Sequence, residues 1–516
     1  MSESVIETAV NITERERKEA NVSFPGATEF VHLHNHTLFS PLDGIATPDE
    51  YFSACAHLGN PAFSITDHGS LANIPDAYWA GKKHGVKFIP GCEIYFSPAY
   101  PELKRLQQDP AFKLGALRPD YTKTAFTVED LDSEEKYSDF RRQRHLSVLA
   151  MNMVGYRNLI QMTTEAWADG FYYKPRIWFE KIEKYHEGLI ILSGCLNGPI
   201  SHALRRAEFW KKVENKETTQ ITRHFRKQKM TIDLNITPGE AAIRRKKSQK
   251  EAIDWVIKFR NLMGDRYYLE LQMPGDEIPF GKEAFRQTAL ISKKLKVPAV
   301  VTNDCHYLER PDFKVQKCMM AIDQGLSIND PNLFHVNSDE QFFKSRAQLR
   351  KTYFDGGYNN FQEPHLFEEA CDNTVALAER CSGFKPDLNP KLPSVPDANN
   401  KIRKLVYDSL KKRGLWDNQD KFVVDGKSVT YKQQADIELE RYTEKGFASY
   451  FLIIRDLIAH SKSQGWDIGP GRGSAGGSLV CFLLDIHSID PLAWGLSSVR
   501  FMGDSRGGRL LNIKME

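Results

Sequence analysis

From residue 30 onward, short runs rich in β-branched and aromatic residues alternate with longer stretches of helical spacing. Seven such runs occur, at 30–34, 62–66, 87–96, 145–151, 188–193, 267–271 and 298–302. Strands separated by helices predict parallel β/α units joined by crossover connections, and hence an α/β fold. Seven strands suffice to close, or nearly close, a barrel. Two long interruptions break the rhythm. Residues 97–144 are polar and charged, and residues 205–250 are basic, with the clusters RHFRKQK and IRRKKSQK. Both read as surface insertions between scaffold strands.

Residues able to bind metals gather where the expected strands end. His34 and His36 leave the first run, with Asp43 on the loop that follows. His68 closes the second run, Glu93 lies on the third, Cys195 follows the fifth, and Asp304 and His306 follow the last. In a β/α barrel the C-terminal strand ends converge on one face, so residues more than 250 positions apart can meet there. Each signal alone is weak: an H-x-H pair often packs, and a lone cysteine is commonly a small buried hydrophobe. Five strands ending in ligand-type residues form a pattern that chance rarely produces. Several imidazoles with three carboxylates exceed what one tetrahedral ion needs and suit a centre of two or three zinc, manganese or iron ions. Such centres activate water and stabilise attacking and leaving oxygens, which points to phosphate-ester hydrolysis.

Composition narrows the rest. The chain has 516 residues, 41% of them hydrophobic and 27% charged, ordinary values for a globular protein of several domains. Seventy Lys and Arg against 67 Asp and Glu leave a net charge of only +3, so any nucleic-acid contact must be local. For the second insertion, a solvated helical excursion and a contact with DNA phosphates both remain open. The eight cysteines form no C-x-x-C pair, and no apolar run approaches a membrane span. Residues 1–28 read as a polar leader without signal-peptide character, which makes the cytoplasm the expected location. Past about residue 307 the rhythm ends and helical stretches dominate, so the main boundary is expected near 330.

A second constellation is the loop IGPGRGSAGGSL, residues 468–479. It lacks the Lys-Ser/Thr ending of a P-loop, and no βαβ unit surrounds its G-x-G-x-x-G spacing. A triphosphate still suits it. Gly471 and Gly473 let backbone N–H groups approach phosphate oxygens, Ser474 or Ser478 can donate a hydroxyl, and Arg472 adds a charge-assisted bond.

The motifs LHNHTLFSPLDG, SITDHGS, PGCEIYF, LSGCLNG and TNDCHYL resemble, in order, those of the PHP (polymerase and histidinol phosphatase) domain. The form is similar to the one that opens bacterial C-family replicative DNA polymerases, the DNA polymerase III alpha subunits. The segment around the glycine-rich loop resembles the start of the palm domain of the same family. The resemblance runs from about residue 30 to about residue 502. It implies a distorted seven-stranded β/α barrel over 29–328, with insertions near 97–144 and 205–250. A linker and helical start follow over 329–430, then an incomplete α+β palm of the nucleotidyltransferase type over 431–516. It maps metal ligands to His34, His36, Asp43, His68, Glu93, His145, Cys195, Asp304 and His306, all present in ligand-type form. His145 is the odd member, since it begins a strand rather than ending one. Intact sites of this kind are associated in the family with metal-dependent 3′–5′ exonuclease proofreading, and the Gly473-Ser474 step with the incoming nucleotide.

The family's polymerising aspartates lie in a P-D-x-D-x-D stretch after an R-F element. Here Arg500-Phe501 is followed by MGDSRGGRLLNIKME, without an Asp-x-Asp pair. The resemblance implies primer-template DNA and deoxynucleoside triphosphates as substrates, magnesium in the completed polymerase site, and a second polypeptide that brings the missing aspartates. Two further readings stand beside it: a stand-alone PHP phosphoesterase or nuclease, and a non-catalytic replisome scaffold.

Overall fold

The computed structural model describes residues 30–225, 228–275, 277, 278, 280–331, 333, 338–359, 365–388, 393–471 and 473–502. The expected leader, Arg472 and the residues from 503 onward lie outside them. The chain divides into two compact units, Met1–Pro386 and Asp387–Glu516.

In the first unit six of the seven expected runs form strands: β1 (Ala62–Ile65), β2 (Lys87–Phe96), β3 (Arg144–Ala150), β6 (Leu189–Leu192), β7 (Tyr267–Leu271) and β8 (Ala299–Val301). Two short strands, β4 (Phe171–Tyr172) and β5 (Lys174–Ile177), extend the sheet beyond β2. Residues 30–36 form no ladder and instead make single parallel bridges, His32 to Phe63 and Asn35 to Cys305. Those bridges complete a circuit from 30–36 through β1, β2, β3, β6, β7 and β8 and back. The seven expected segments are the seven members of the ring. β1, β6, β7 and β8 are buried along their whole length, which is why they read as continuous apolar runs.

The ring is not all-parallel. β3 runs antiparallel to both neighbours, β2 and β6. The cause lies in the first insertion, which returns the chain to the end of β2 that it left. Phe96 pairs with Arg144, so residues 97–143 are the loop of one wide hairpin and no crossover helix is needed.

The two insertions, read as separate, build one subdomain. Ala125–Phe126 of the first pairs in parallel with Gln228–Leu234 of the second, which forms a hairpin with Gln220–Phe225. Tyr121, Phe126, Trp210, Ile221 and Ile232 pack beneath this sheet. The IRRKKSQK cluster lies on the helix Pro238–Met263, where Arg244 pairs with Asp132 and Arg245 with Glu214, each at 2.6 Å. Those two arginines find counter-charges inside the unit. The RHFRKQK side chains lie outside the described residues.

The division at 386 lies well past the boundary expected near 330. The helix Leu366–Arg380 explains the difference. It packs Leu377 and Ala378 with Val31, Leu33 and Val300 of the ring, and Thr374 Oγ1 accepts a hydrogen bond from Val31 N at 3.1 Å. Burying Leu377 alone is worth roughly 1.5–3 kcal/mol, which ties this helix to the barrel.

Described by itself, the second unit is largely helical. Ala398–Lys412, Tyr431–Glu444 and Ala448–Ser463 enclose a core that includes Val406, Leu439, Phe451 and Leu483. Among its described residues the strands are Phe422–Val424 and Lys427–Val429, an antiparallel hairpin, so the expected α+β palm is represented there by helices and one hairpin. Thr430 starts the middle helix with a capping box to Gln433. Among the described residues no helix is long and apolar enough to cross a membrane.

Candidate metal centre

All nine expected ligands meet at one end of the ring. The bridge from His68 to Glu93 places the loop after β1 against the middle of β2. His145 reaches the same place because β3 is reversed, so its first residues lie beside the last residues of β2, with Tyr95 opposite His145. The strand start that looked out of place is thereby the correct end. Gly194 brings in Cys195: its φ is 82°, and a Cβ there would lie 2.0 Å from the His145 carbonyl oxygen. Only glycine accommodates both the left-handed backbone and that approach. Asp304 is also left-handed, at φ 50°, a conformation that aspartate tolerates better than most residues.

Glu93 is the hub. Its Oε1 lies 3.2 Å from His34 Nε2, and its Oε2 lies 2.7 Å from His68 Nδ1, 3.2 Å from His145 Nδ1 and 3.6 Å from His36 Nε2. Asp304 Oδ1 is 3.3 Å from both His34 Nε2 and His36 Nε2. Asp43 Oδ2 faces His68 Nε2 at 2.9 Å and His306 Nε2 at 3.3 Å. Cys195 Sγ lies 3.6 Å from His145 Nδ1 and 3.7 Å from Glu93 Oε1. Three groups have the spacing of a metal site: His36/His68/His306, His34/His36/Asp304 and His68/Glu93/His145.

Supporting residues set the tautomers. Ser40 Oγ donates to Asp67 Oδ1 at 2.8 Å, so at 2.9 Å it accepts from His36 Nδ1. His34 Nδ1 donates to Glu270 Oε2 at 2.8 Å, and His306 Nδ1 donates to the Asp304 carbonyl at 2.8 Å. Each of these rings therefore turns its Nε2 lone pair inward, as metal-binding histidines do. His34 Nε2, His36 Nε2, His68 Nδ1, Glu93 Oε2 and Asp304 Oδ1 are buried without a hydrogen bond. Imidazole lone pairs and carboxylate oxygens at these distances repel unless a cation lies between them. The donor set therefore fits divalent ions.

The acid–base balance carries the same message. Burial opposes charge on His34, yet Glu270, Asp304 and Glu93 outweigh it and raise its pKa well above the imidazole range. Against the same burial, Glu93 and Asp43 bring His68 to about 10, and Asp43 and Asp304 bring His306 to about 9. His36 falls to about 4 through burial and the charges of His68 and His306. Glu93 and Asp304 stay below the carboxylate range despite burial, because imidazoles surround them. Positive charge belongs between these carboxylates, and protons and metal ions compete for the same lone pairs.

The glycine-rich loop is less uniform than its sequence suggests. Gly471, Gly473 and Ser474 are exposed. Ser478 is fully buried: its hydroxyl donates to Glu438 Oε2 at 2.8 Å and accepts from Cys481 N at 3.2 Å, capping the short helix Leu479–Leu483. Ser478 therefore leaves the set of candidate phosphate donors, since both of its roles are taken inside the unit.

Residues 32–237 match the model of the PHP domain, and residues 400–508 match that of the bacterial DNA polymerase III alpha NTPase domain. The DNA polymerase III subunit alpha of Aquifex aeolicus is 32% identical over 93% of this chain and 35% of its own length. That of Mycobacterium tuberculosis is 30% identical over 93% of this chain and 34% of its own length. Over 93% of its length the chain is similar to bacterial DNA polymerase III alpha subunits. It spans about a third of the length of the curated relatives it matches. Among solved structures, an amidohydrolase from Chromobacterium violaceum aligns with 54% of this chain and 87% of its own, at 13% identity and a TM-score of 0.25.

The residues that orient the centre are harder to read than its ligands. Glu270 is buried in β7 and accepts from His34 Nδ1, Gly194 N, Ser147 Oγ and Thr302 Oγ1. Its one sequence signal is a lone carboxylate inside the apolar run YYLEL. Asp67 is fully buried and accepts from Thr37, Ser40 and Asn73, which locks the loop that bears His36. Gln316 donates to Asp43 Oδ1 at 3.2 Å, and nothing local in its sequence marks it.

Proposed function

We propose that the first unit is a divalent-metal phosphoesterase centre that acts on DNA as a 3′–5′ exonuclease, in the cytoplasm and within a replicative polymerase of the alpha family. The observation that carries this reading is the set of five buried, unbonded lone-pair atoms turned toward one another around the carboxylates of Glu93 and Asp304. Two or three zinc, manganese or iron ions would be held by His34, His36, Asp43, His68, Glu93, His145, Cys195, Asp304 and His306. When bound, such ions lower the pKa of water and neutralise the oxygens of the phosphate under attack. The chain's own part is orientation. Glu270 and Ser40 fix the His34 and His36 rings, and Asp67 fixes the loop around His36.

For the second unit we propose a role in handling deoxynucleoside triphosphate on primer-template DNA, supported by the match to the NTPase domain and by the exposed Gly471, Gly473 and Ser474. Nucleotidyl transfer with magnesium needs an aspartate pair of the P-D-x-D-x-D kind, which does not follow Arg500-Phe501 here. We assign that pair to further polypeptide acting with this chain. All nine candidate ligands lie in the first unit, and this favours, as a second reading, a phosphoesterase that works without the second.

The deciding experiment is hydrolysis of a 3′-labelled oligodeoxynucleotide by the purified chain with added manganese or zinc. His34→Ala combined with Asp304→Ala should abolish product release and lower the bound metal. Full activity in that double variant would place the chemistry elsewhere.

A further inference from the structure

Beside the candidate metal centre lies a constellation that the proposed hydrolysis does not use. The loop bearing Cys195 runs into the helix Pro199–Glu214. One face of that helix, with His202, Arg205, Arg206 and Phe209, lines a cavity of about 540 Å3. The first insertion supplies the other wall, including Glu134, Asp139 and Arg142. Asn197 joins the cavity to the centre. It lines the cavity, while its N–H donates to Cys195 Sγ at 3.5 Å and its carbonyl accepts from His145 N at 3.1 Å.

The charges in this cavity are unevenly matched. Its carboxylates all have partners: Glu134 accepts from Tyr121, Glu135 pairs with Arg206, and Asp139 pairs with Arg144 at 2.8 Å. Arg142 and Arg205 differ, since neither side chain makes a hydrogen bond or ion pair among the described residues. The two are near enough for Arg142 to act electrostatically on Arg205, and Cys195 acts on Arg205 as well. His202 lies under the combined charge of Arg144, Arg206, Arg205 and Arg142. Two guanidinium groups that line one cavity without ion-pair partners repel, and no contact among the described residues offsets that repulsion. An anion reverses the sign of that interaction, and arginine forks match phosphate oxygens in pairs. Phe209 and Trp210 add apolar surface to the lining, so the complementary ligand is an anion carrying a ring. The volume falls within the range of roughly 300–1,000 Å3 that small-ligand pockets occupy.

We propose that Arg142 and Arg205 form a phosphate-binding subsite that holds a nucleoside phosphate against the Cys195 side of the metal centre. The phosphate can come from a DNA strand, as the one next to the scissile bond, or from a free nucleoside monophosphate. The catalytic role of the subsite rests on the phosphoesterase reading; its ability to bind does not.

The test uses the full chain carrying both Arg142→Gln and Arg205→Gln. A control carrying Lys293→Gln and Lys294→Gln removes two charges from the helix Gly281–Leu295 instead. Binding of a labelled oligothymidylate is followed by anisotropy across a salt series, with metals chelated so that no hydrolysis occurs. Loss of the one phosphate contact should flatten the slope of log K against log salt by about 0.7, and the control should match the parent. If thymidine monophosphate binding is lost while the oligothymidylate slope is unchanged, the subsite stands with the free nucleotide as its ligand. Unchanged binding of both ligands in the arginine double variant sinks the proposal. Arginine-dependent binding in a metal-loaded chain that hydrolyses nothing would remove the phosphoesterase reading and leave the subsite in place.

Discussion

Glu270→Gln is the sharpest probe of how the centre is held, because it changes one atom in a side chain that touches no expected position of a metal ion. In the native chain Oε1 accepts from Gly194 N at 2.8 Å and Ser147 Oγ at 3.0 Å. Oε2 accepts from His34 Nδ1 at 2.8 Å and Thr302 Oγ1 at 2.6 Å. Donors therefore face both oxygens. Gln272 Nε2 also donates to Oε2, at 3.2 Å. An amide offers one oxygen and one NH2, so either orientation sets an NH2 against at least two donors. Gly194 N cannot rotate, and the amide oxygen will stay on its side. The NH2 then faces His34, whose ring must move its proton to Nε2, the atom that should bind metal. Loss of such an orienting partner costs about 10–100-fold in metal affinity, or about 1.4–2.7 kcal/mol. Equilibrium dialysis against buffered manganese or zinc, with metal counted per chain, reads this directly. The weakest class of ion should shift by that factor, and hydrolysis should fall at limiting metal and recover at saturating metal. A dissociation constant within twofold of the parent's would refute the tautomer argument. So would an activity loss that excess metal does not restore.

Three further changes test other parts of the reasoning. Gly194→Ala should cost more than about 1 kcal/mol in thermal unfolding and lower the metal content, because both the left-handed backbone and the 2.0 Å approach to His145 must be relieved; an unshifted transition would count against that geometry. Glu438→Ala removes the buried acceptor of Leu479 N, Val480 N and Ser478 Oγ, and should destabilise the second unit by about 3 kcal/mol in denaturant unfolding of the full chain, whereas a loss below about 1 kcal/mol would show that water replaces it. Burial and four arginines push the His202 pKa far below its ordinary 6.5. The unfolded chain therefore takes up a proton there that the folded chain refuses. Stability from this residue is complete above about pH 6.5 and falls below it, by at most about 1.4 kcal/mol per pH unit. His202→Asn should remove that slope, and identical slopes in the two proteins would contradict the assignment.

The ring and its ligands are legible in the sequence for different physical reasons. Strands buried on both faces are predominantly apolar, so β1, β6, β7 and β8 stand out as runs whatever their neighbours. Metal ligands are drawn from four residue types, so His34, His36, Glu93 and Asp304 stand out by chemistry. Direction is what a run of residues does not reveal, since its composition is the same for either polarity. The polarity of β3 is set by where the 97–143 loop ends, a pairing of Phe96 with Arg144 that no local pattern records. His145 therefore looks misplaced until that pairing is known. The joining of the two insertions is hidden for the same reason, because Ala125–Phe126 finds its partner about 100 residues away. The supporting residues are obscured by chemical ambiguity. A carboxylate in a strand serves equally well facing solvent, and only the closed ring turns Glu270 inward. Ser478 misleads in the opposite sense: a serine in a glycine-rich loop can face a phosphate or cap the next helix, and the buried carboxylate of Glu438, 40 residues earlier, decides for the cap. Ligand identity is restricted by the ion and can be read locally, whereas orientation depends on contacts between distant segments and has to be seen.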